Sequence, residues 1–508
     1  MTMTRSTSPD LSYPASFPVA RSLGRHLHFH LGPTNSGKTY HALQVLQQAE
    51  SGVYLAPLRL LAMEVRDRLL AAGVPCNLVT GEERQLIPGA RHTACTVEMM
   101  RADQIVDVAI IDEIQMLQDE ARGHAWTAAL VGAPAKQVFI CGSDAVTGLC
   151  LQAVEAMGEH YDITRLERMT PLHLEEQALC GARYRRASLK GKLQKGDAVI
   201  AFSRKDVLTL SARLRQWGWR VASIYGALSP EVRRTESRRF SEGEADILVA
   251  TDAIGMGLNL PIRRVVFSTL HKFDGLASRL LGATETRQIA GRAGRYGLYP
   301  TGYVTAFEND ELLHLQHMLT TSDHSELQRL PVAPVWSSIE QSSARLHTGR
   351  IGELLERFGE RQTKGNLFEY ASAGVQIALG QLIDLHTPQL DLADKFRFAC
   401  APVSLDKAHE LDYFLSCLKA VATHTRKFLP DDVDWLAGTG PQHLERAERL
   451  SQDISLYAWL SFKYPATFVD AARVPVLRAQ VSRYIERALL VQAGYGDITR
   501  ELMQAEFR

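Results

Sequence analysis

Between Gly32 and Thr39 the chain reads GPTNSGKT. Two glycines at this spacing, followed by a lysine and a hydroxyl residue, suit a triphosphate. The loop Gly32, Pro33, Thr34, Asn35, Ser36 and Gly37 would bring backbone amides against the phosphates. Lys38 would set a cation beside the β and γ oxygens, and the Thr39 hydroxyl would ligate Mg²⁺. Such a loop needs an acidic partner at the end of another strand, and VAIIDE supplies Asp112 and Glu113. Asp112 would hold the magnesium ion, directly or through water, while Glu113 would orient and deprotonate the attacking water. An acidic pair at a strand end is by itself more often a helix cap. Its company with the phosphate loop turns the reading to catalysis.

These residues must stand on a sheet. HLHFHL, GVYLAP, DVAIID and QVFICG read as buried strands, and the stretches opening at Lys38 and Leu60 carry apolar residues at helical period. That alternation predicts a parallel α/β sheet. The rhythm resumes in DAVIAF, RVASIY, ADILVAT, RRVVFST and GYVTAF, so a second α/β domain follows the first. In the second, QIAGRAGR carries Arg292 and Arg295 three residues apart and therefore on one face. An arginine brought to the γ-phosphate from a second lobe makes hydrolysis depend on cleft closure, which is what a motor requires. After about residue 320 helical patterns dominate. The expected architecture is two tandem RecA-like domains with parallel sheets and a mostly α-helical C-terminal region: a disordered tail over 1–20, the domains over 21–165 and 166–320, and helices over 321–508.

The ordered motifs resemble a superfamily-two helicase, and DEIQ together with GPTNSGKTY is similar to the suppressor-of-Var RNA helicases, the degradosome-type enzymes of mitochondria and their bacterial relatives. The motor resemblance spans about 32 to 308. It implies that Pro57 and Arg59 in PLRLLAMEV, Thr80 and Gly81 in TGEER, and Thr96 in CTVEM contact the RNA strand, as do Ser203, Arg204 and Thr251 in the second domain. It implies further that Gln115 and Ser143 couple hydrolysis to unwinding, that Asp252 and Gly255 lie near ribose and γ-phosphate, and that Gln288 faces the attacking water. The expected activity is ATP-dependent unwinding of RNA from a single-stranded overhang, three-prime to five-prime, with Mg²⁺ and ATP, other nucleoside triphosphates also being tolerated. Grips on backbone phosphate read little sequence. Two rivals stay open: a DNA helicase or translocase, because such contacts barely distinguish the sugars, and an ATP-gated RNA clamp that does not unwind.

Composition adds bounds. Lys plus Arg and Asp plus Glu each total 57 in 508 residues, so net charge gives no argument for a polyanionic partner. The run Arg183, Arg185, Arg186, Lys190, Lys192 and Lys195 reads first as a solvated face between domains. Seven scattered cysteines without a CxxC pair suit a reducing compartment. No apolar run is long enough for a membrane span. The resulting expectation is a cytoplasmic chain, with a mitochondrial transit peptide as the lesser alternative. An exoribonuclease partner stays open, though not by a contact of the eukaryotic kind, whose helical N-terminal extension is not among these residues. The alternating His26, His28 and His30 suggest a metal only weakly beside a plain exposed strand face. The aromatics of LYAWLSFKYP read as core before they read as a base-stacking surface.

Overall fold

HLHFHL alternates because one side of it is core: strand β1 (His26–Leu31) buries Leu27, Phe29 and Leu31 and leaves the histidines half-buried on the other face. In the computed structural model, the residues described are 13–495 without 82, 183–188, 227, 229, 256–259, 274–276, 322–326, 363–366, 372 and 439. Around β1 stand β2 (Gly52–Ala56), β3 (Cys76–Val79), β4 (Arg84–Gln85), β5 (His92–Thr96), β6 (Val106–Ile111), β7 (Ala135–Gly142) and β8 (His160–Arg165). Their order is β4-β3-β5-β2-β6-β7-β1-β8, parallel except at β3–β4. Parallel neighbours need crossover connections, and these lay helices on both faces. Between β1 and β2 lies α2 (Lys38–Gln48), and after β2 comes α3 (Arg59–Ala71); both pack on the face of Tyr54 and Phe139. The opposite face carries α4 (Gly123–Gly132) and α5 (Thr147–Ala156).

The second sheet joins β9 (Leu172–Leu174), β10 (Asp197–Ile200), β11 (Val221–Ile224), β12 (Ile247–Ala250), β13 (Arg264–Phe267) and β16 (Gly302–Ala306) in the order β11-β12-β10-β13-β16-β9. All its pairs are parallel, and β10 to β13 are buried along their whole length, as a doubly covered sheet demands. Helices α6 (Arg204–Gln216), α7 (Pro230–Ser241) and α8 (Ala283–Ala290) connect its strands, with a short hairpin of β14 (His271–Phe273) and β15 (Ser278–Leu280), and α9 (Asn309–Thr320) follows β16. Of the basic run, Arg183, Arg185 and Arg186 lie outside the described residues; Lys190, Lys192 and Lys195 are exposed.

The rest is helical: α10 (Trp336–Leu346), α11 (Ile351–Gln362), α12 (Ala373–His386), α13 (Leu392–Ala399), α14 (Ala408–Ala422), α15 (Leu444–Ser461) and α16 (Val474–Gln492). It does not stand apart. A parallel ribbon of β17 (Leu330–Val332) and β18 (Phe368–Tyr370) shares the first domain's core with Trp126 and Leu130 of α4. That second cover explains why α4 is apolar all round. Leu490 of α16 joins the core of the second sheet. In LYAWLSFKYP, Leu456, Tyr457, Ala458 and Leu460 are core residues.

The expected disordered tail needs correction for residues 13–20. Tyr13 and Phe17 are buried, Tyr13 meets the rings of Phe358 and Phe368, and Phe17 fills the space beside Gly132. Two aromatics four residues apart, turned by Pro14 and Pro18, dock this segment on α4.

Candidate active site

The phosphate loop leaves the carboxyl end of β1 and is shaped by backbone that few residues accept. Asn35 has φ +69° and Gly37 +81°, both left-handed. A Cβ on Gly32 would lie 2.4 Å from the Leu166 carbonyl, so only glycine fits there. The Gly32 N–H donates to the Gly142 carbonyl at 2.9 Å, pinning the loop to the end of β7. The Ser36 hydroxyl is buried with no hydrogen-bond partner among the described residues. The Lys38 ammonium is nearly buried too, and among the described residues its Nζ donates to the Pro33 carbonyl at 3.3 Å. An orphaned hydroxyl and a desolvated cation at the head of a helix make a cradle for an anion.

Asp112 and Glu113 directly follow β6. The Thr39 hydroxyl donates to Asp112 Oδ1 at 3.0 Å, so the two oxygens expected to ligate magnesium are already neighbours. This is a hard-oxygen donor set that fits Mg²⁺. The Tyr54 hydroxyl donates to Oδ2 at 2.6 Å, and the Trp126 indole N–H donates to the Asp112 carbonyl at 2.9 Å. Burial, then the neighbouring Glu113, pushes the Asp112 carboxyl up to about 6, against the opposing pull of Tyr54, Lys38 and Thr39. The sign follows. Below about pH 6 the free protein keeps a proton on Asp112, and a cation must displace it. At subsaturating magnesium, kcat/KM for nucleotide hydrolysis should therefore fall on the acid side with a limb near pH 6. In Tyr54→Phe the donor that favours the charged form is gone, so the limb should move up by about one unit. A pH–rate profile that is the same in both proteins would remove Tyr54 from this role.

Glu113 is held in the left-handed region at φ +54°, a conformation costing an ordinary residue about 1–3 kcal/mol. The Gln115 side-chain amide donates to Glu113 Oε2, and Gln115 Oε1 accepts the Ser143 N–H at 3.0 Å. Of the expected coupling residues, Gln115 thus bonds Glu113 directly and Ser143 reaches it through Gln115, and the Ser143 hydroxyl is buried with no partner among the described residues.

The second domain closes over this arrangement. Arg292 Nη2 lies 3.7 Å from Glu113 Oε1, and Arg292 Nε donates to the Gly255 carbonyl at 3.1 Å. Asn35 Nδ2 donates to the Gly294 carbonyl at 2.5 Å. Two cavities, of about 210 and 600 Å³, meet at Thr34 and Lys38. Asp112, Glu113 and Arg292 line the first; Gln115, Ser143 and Gln288 line the second. Arg295 acts on Glu64 of α3, whose carboxyl is raised by burial and drawn back by Arg295, Arg68 and Arg292. Gly255 offers its carbonyl to Arg292. Asp252 is held by Lys272 Nζ at 2.5 Å and lines neither of these two cavities.

The strand contacts expected in the first domain share one sheet edge. Because β3, β5 and β2 are adjacent and parallel, Thr80, Thr96 and Pro57 follow one another along their carboxyl ends, with Gly81 and Arg59 beside them. Thr80 is fully buried, however, and its N–H bonds the Glu83 carbonyl at 2.8 Å; Thr96 is also buried, and the Pro57 carbonyl accepts from Arg122. In the second domain the Ser203 hydroxyl caps α6, donating to Asp206 Oδ2 at 2.6 Å, and Thr251 accepts the Ala253 N–H at 3.3 Å. Arg204 needs the larger correction. Its guanidinium stacks over Tyr225 and pairs with Glu486 at 3.2 Å and Ser482 of α16, so it is a domain clasp and not a phosphate grip. The returning helix α16 claims it.

Three residues escaped the sequence reading. Arg168, between β8 and β9, donates to the carbonyls of Thr34 at 2.9 Å, Gly291 at 2.8 Å and Thr170 at 2.6 Å, and also to that of Ala293, tying the phosphate loop to the arginine-bearing turn. Burial, then Arg292, lowers its guanidinium to about 10. Tyr54 buttresses Asp112. Arg233 of α7 stands near Arg59 of the other domain; burial, then the repulsion from Arg59, lowers its affinity for a proton. Basic residues from two domains that repel one another across a cleft are a place for a polyanion.

Comparison with known proteins agrees in order along the chain. A model of the DEXQ-box helicase domain of Suv3 matches residues 14–166, the helicase conserved C-terminal domain matches 183–297, and the ATP-dependent RNA helicase SUV3 C-terminal domain matches 444–490. The chain is 36% identical over 507 residues to the mitochondrial ATP-dependent RNA helicase SUV3 of Oryza sativa, covering 97% of this chain and 85% of the relative. It is likewise 36% identical to the mitochondrial DExH-box ATP-dependent RNA helicases DExH16 and DExH18 of Arabidopsis thaliana, with 94% of this chain covered in both. It spans 84% of the length of DExH16 but only 61% of that of DExH18. These relatives overturn the expected cytoplasmic setting, since each is a mitochondrial protein.

Proposed function

The chain belongs to the SUV3 family of ATP-dependent RNA helicases, and from that premise we propose that it hydrolyses ATP to move three-prime to five-prime on single-stranded RNA and unwinds duplexes ahead of it. One observation carries the reading: Arg292 of the second domain stands 3.7 Å from Glu113 of the first, in the cavity that Lys38 lines. Hydrolysis assembled from two lobes is hydrolysis that senses their closure.

In this mechanism Lys38, Ser36 and the loop amides hold the triphosphate, and Thr39 with Asp112 would hold the metal. When bound, Mg²⁺ neutralises charge on the β and γ oxygens. Glu113, oriented by Gln115, takes the proton of the attacking water, with Gln288 bordering the adjoining cavity. Arg292 stabilises the charge that develops on the transferred phosphoryl group, and Arg295 supports it through Glu64. Arg168 transmits closure from the phosphate loop to the turn at Gly291 and Ala293. The RNA backbone passes the edge of Pro57, Arg59, Gly81 and Thr96, with Arg233 opposite and Thr251 and Ser203 at the ends of β12 and β10. With Arg204 engaged elsewhere, Arg59 and Arg233 carry the phosphate charge. Two grips that separate and rejoin with each turnover advance the strand without reading bases. The relatives support a mitochondrial site of action.

The test is strand displacement with matched RNA and DNA duplexes carrying either overhang. RNA with a three-prime overhang should be displaced in the presence of ATP and magnesium, and RNA should stimulate hydrolysis more than DNA does, with affinity falling as salt rises. Strong RNA-stimulated hydrolysis without displacement would make the chain a clamp. Equal or greater stimulation by DNA would make it a DNA translocase.

A further inference from the structure

The histidine face of β1 meets the outermost strand of its sheet. Strands β1 and β8 run parallel in register, His26 beside His160 and His28 beside Asp162, so four side chains able to bind a transition metal leave the same face. His26 Nε2 and His28 Nδ1 both point at one oxygen, Asp162 Oδ2, at 2.8 and 2.7 Å. The three ligand atoms lie within 4.8 Å of one another. The two rings stack at 4.5 Å, and Phe139 backs His28 at 4.6 Å, which holds both imidazoles in the converging orientation. Bonds of about 2.0–2.2 Å to a tetrahedral ion would place its ligand atoms about 3.4 Å apart. Small side-chain rotations supply the difference.

We propose that His26, His28 and Asp162 bind one zinc-class divalent cation, separate from the nucleotide's magnesium. Two imidazoles select against Mg²⁺ and Ca²⁺, which prefer oxygen. The side chains of His26 and Asp162 are 45% and 49% exposed, so the ion has an entry path and a fourth position for water, with His160 next to it. The site has a mechanical consequence. Among the described residues β8 pairs only with β1, and it leads through Leu166, whose N–H bonds the Leu31 carbonyl at 2.8 Å, to the linker residue Arg168. An ion here staples the strand that bears the phosphate loop to the strand that feeds the linker.

The test uses the full chain, stripped with a chelator and titrated with Co²⁺ or Zn²⁺ under excess Mg²⁺ and without nucleotide. One equivalent of Co²⁺ should bind with the visible spectrum of a four-coordinate nitrogen and oxygen site, and Zn²⁺ should displace it. His26→Asn, His28→Asn and Asp162→Asn should each weaken binding at least tenfold. Zn²⁺ should raise the melting temperature of the parent protein and leave that of His26→Asn, an exposed change, unmoved. Absence of a stoichiometric equivalent, unchanged affinity in His26→Asn, or a spectrum dominated by sulfur-to-cobalt charge transfer would each overturn the proposal, the first leaving only a hydrogen-bonded cluster.

Discussion

Glu113→Gln should bind ATP as the parent protein does and hydrolyse it about two to four orders of magnitude more slowly, the contribution typical of a positioned general base. The substitution keeps length and planarity, and an amide oxygen can still accept from Gln115, so the bond that orients the side chain survives. What is lost is the basic oxygen facing Arg292 and the cavity. An amide does not take a proton from water, and its NH₂ would meet the guanidinium as a second donor. The strained φ of +54° is unaffected, because it belongs to the backbone. Equilibrium nucleotide binding and single-turnover hydrolysis separate the two effects. Turnover near that of the parent would take the base role from Glu113.

Both ends of this chemistry are readable along the chain because local spacing specifies them. GPTNSGKT sets its own loop and helix, and Asp112 and Glu113 need only a strand end. What escapes is set by partners distant in sequence. Tyr54 looks like one more apolar residue of a buried strand until β2 and β6 align in register and bring its hydroxyl to Asp112. Arg168 sits in a linker without periodicity, and its partners are backbone carbonyls, which leave no mark in a sequence. Arg204 follows β10 as its motif implies, yet nothing local announces that α16 returns to cover it. Ser, Thr and Pro dominate residues 1–20 and mask Tyr13 and Phe17, whose burial depends on α4, β18 and α11. The two sheets were legible from alternation and apolar runs. The way the helical region splits its contacts between both domains was not, since helical periodicity shows that a face is apolar and not what it will meet.

Arg292→Ala should cost about a thousandfold in hydrolysis at saturating ATP and RNA, the lower range found for an arginine that completes a phosphoryl-transfer site in trans. Arg295→Ala should cost much less. The two arginines share a face, yet Arg292 lines the cavity with Lys38 and Glu113, whereas Arg295 acts on Glu64. Arg292→Lys should recover little: an ammonium cannot both bond the Gly255 carbonyl and present a planar pair of donors to the γ-phosphate. Because Arg292 also ties α8 to the loop after β12, melting temperature and RNA affinity in the absence of nucleotide must be measured beside turnover. A catalytic arginine lowers kcat while leaving both nearly unchanged; a structural one moves them together. If Arg292→Ala retained full turnover, the charge on the transferred phosphoryl group would have to be met by another residue. Arg168 would be the candidate, as its guanidinium already touches the phosphate loop at Thr34.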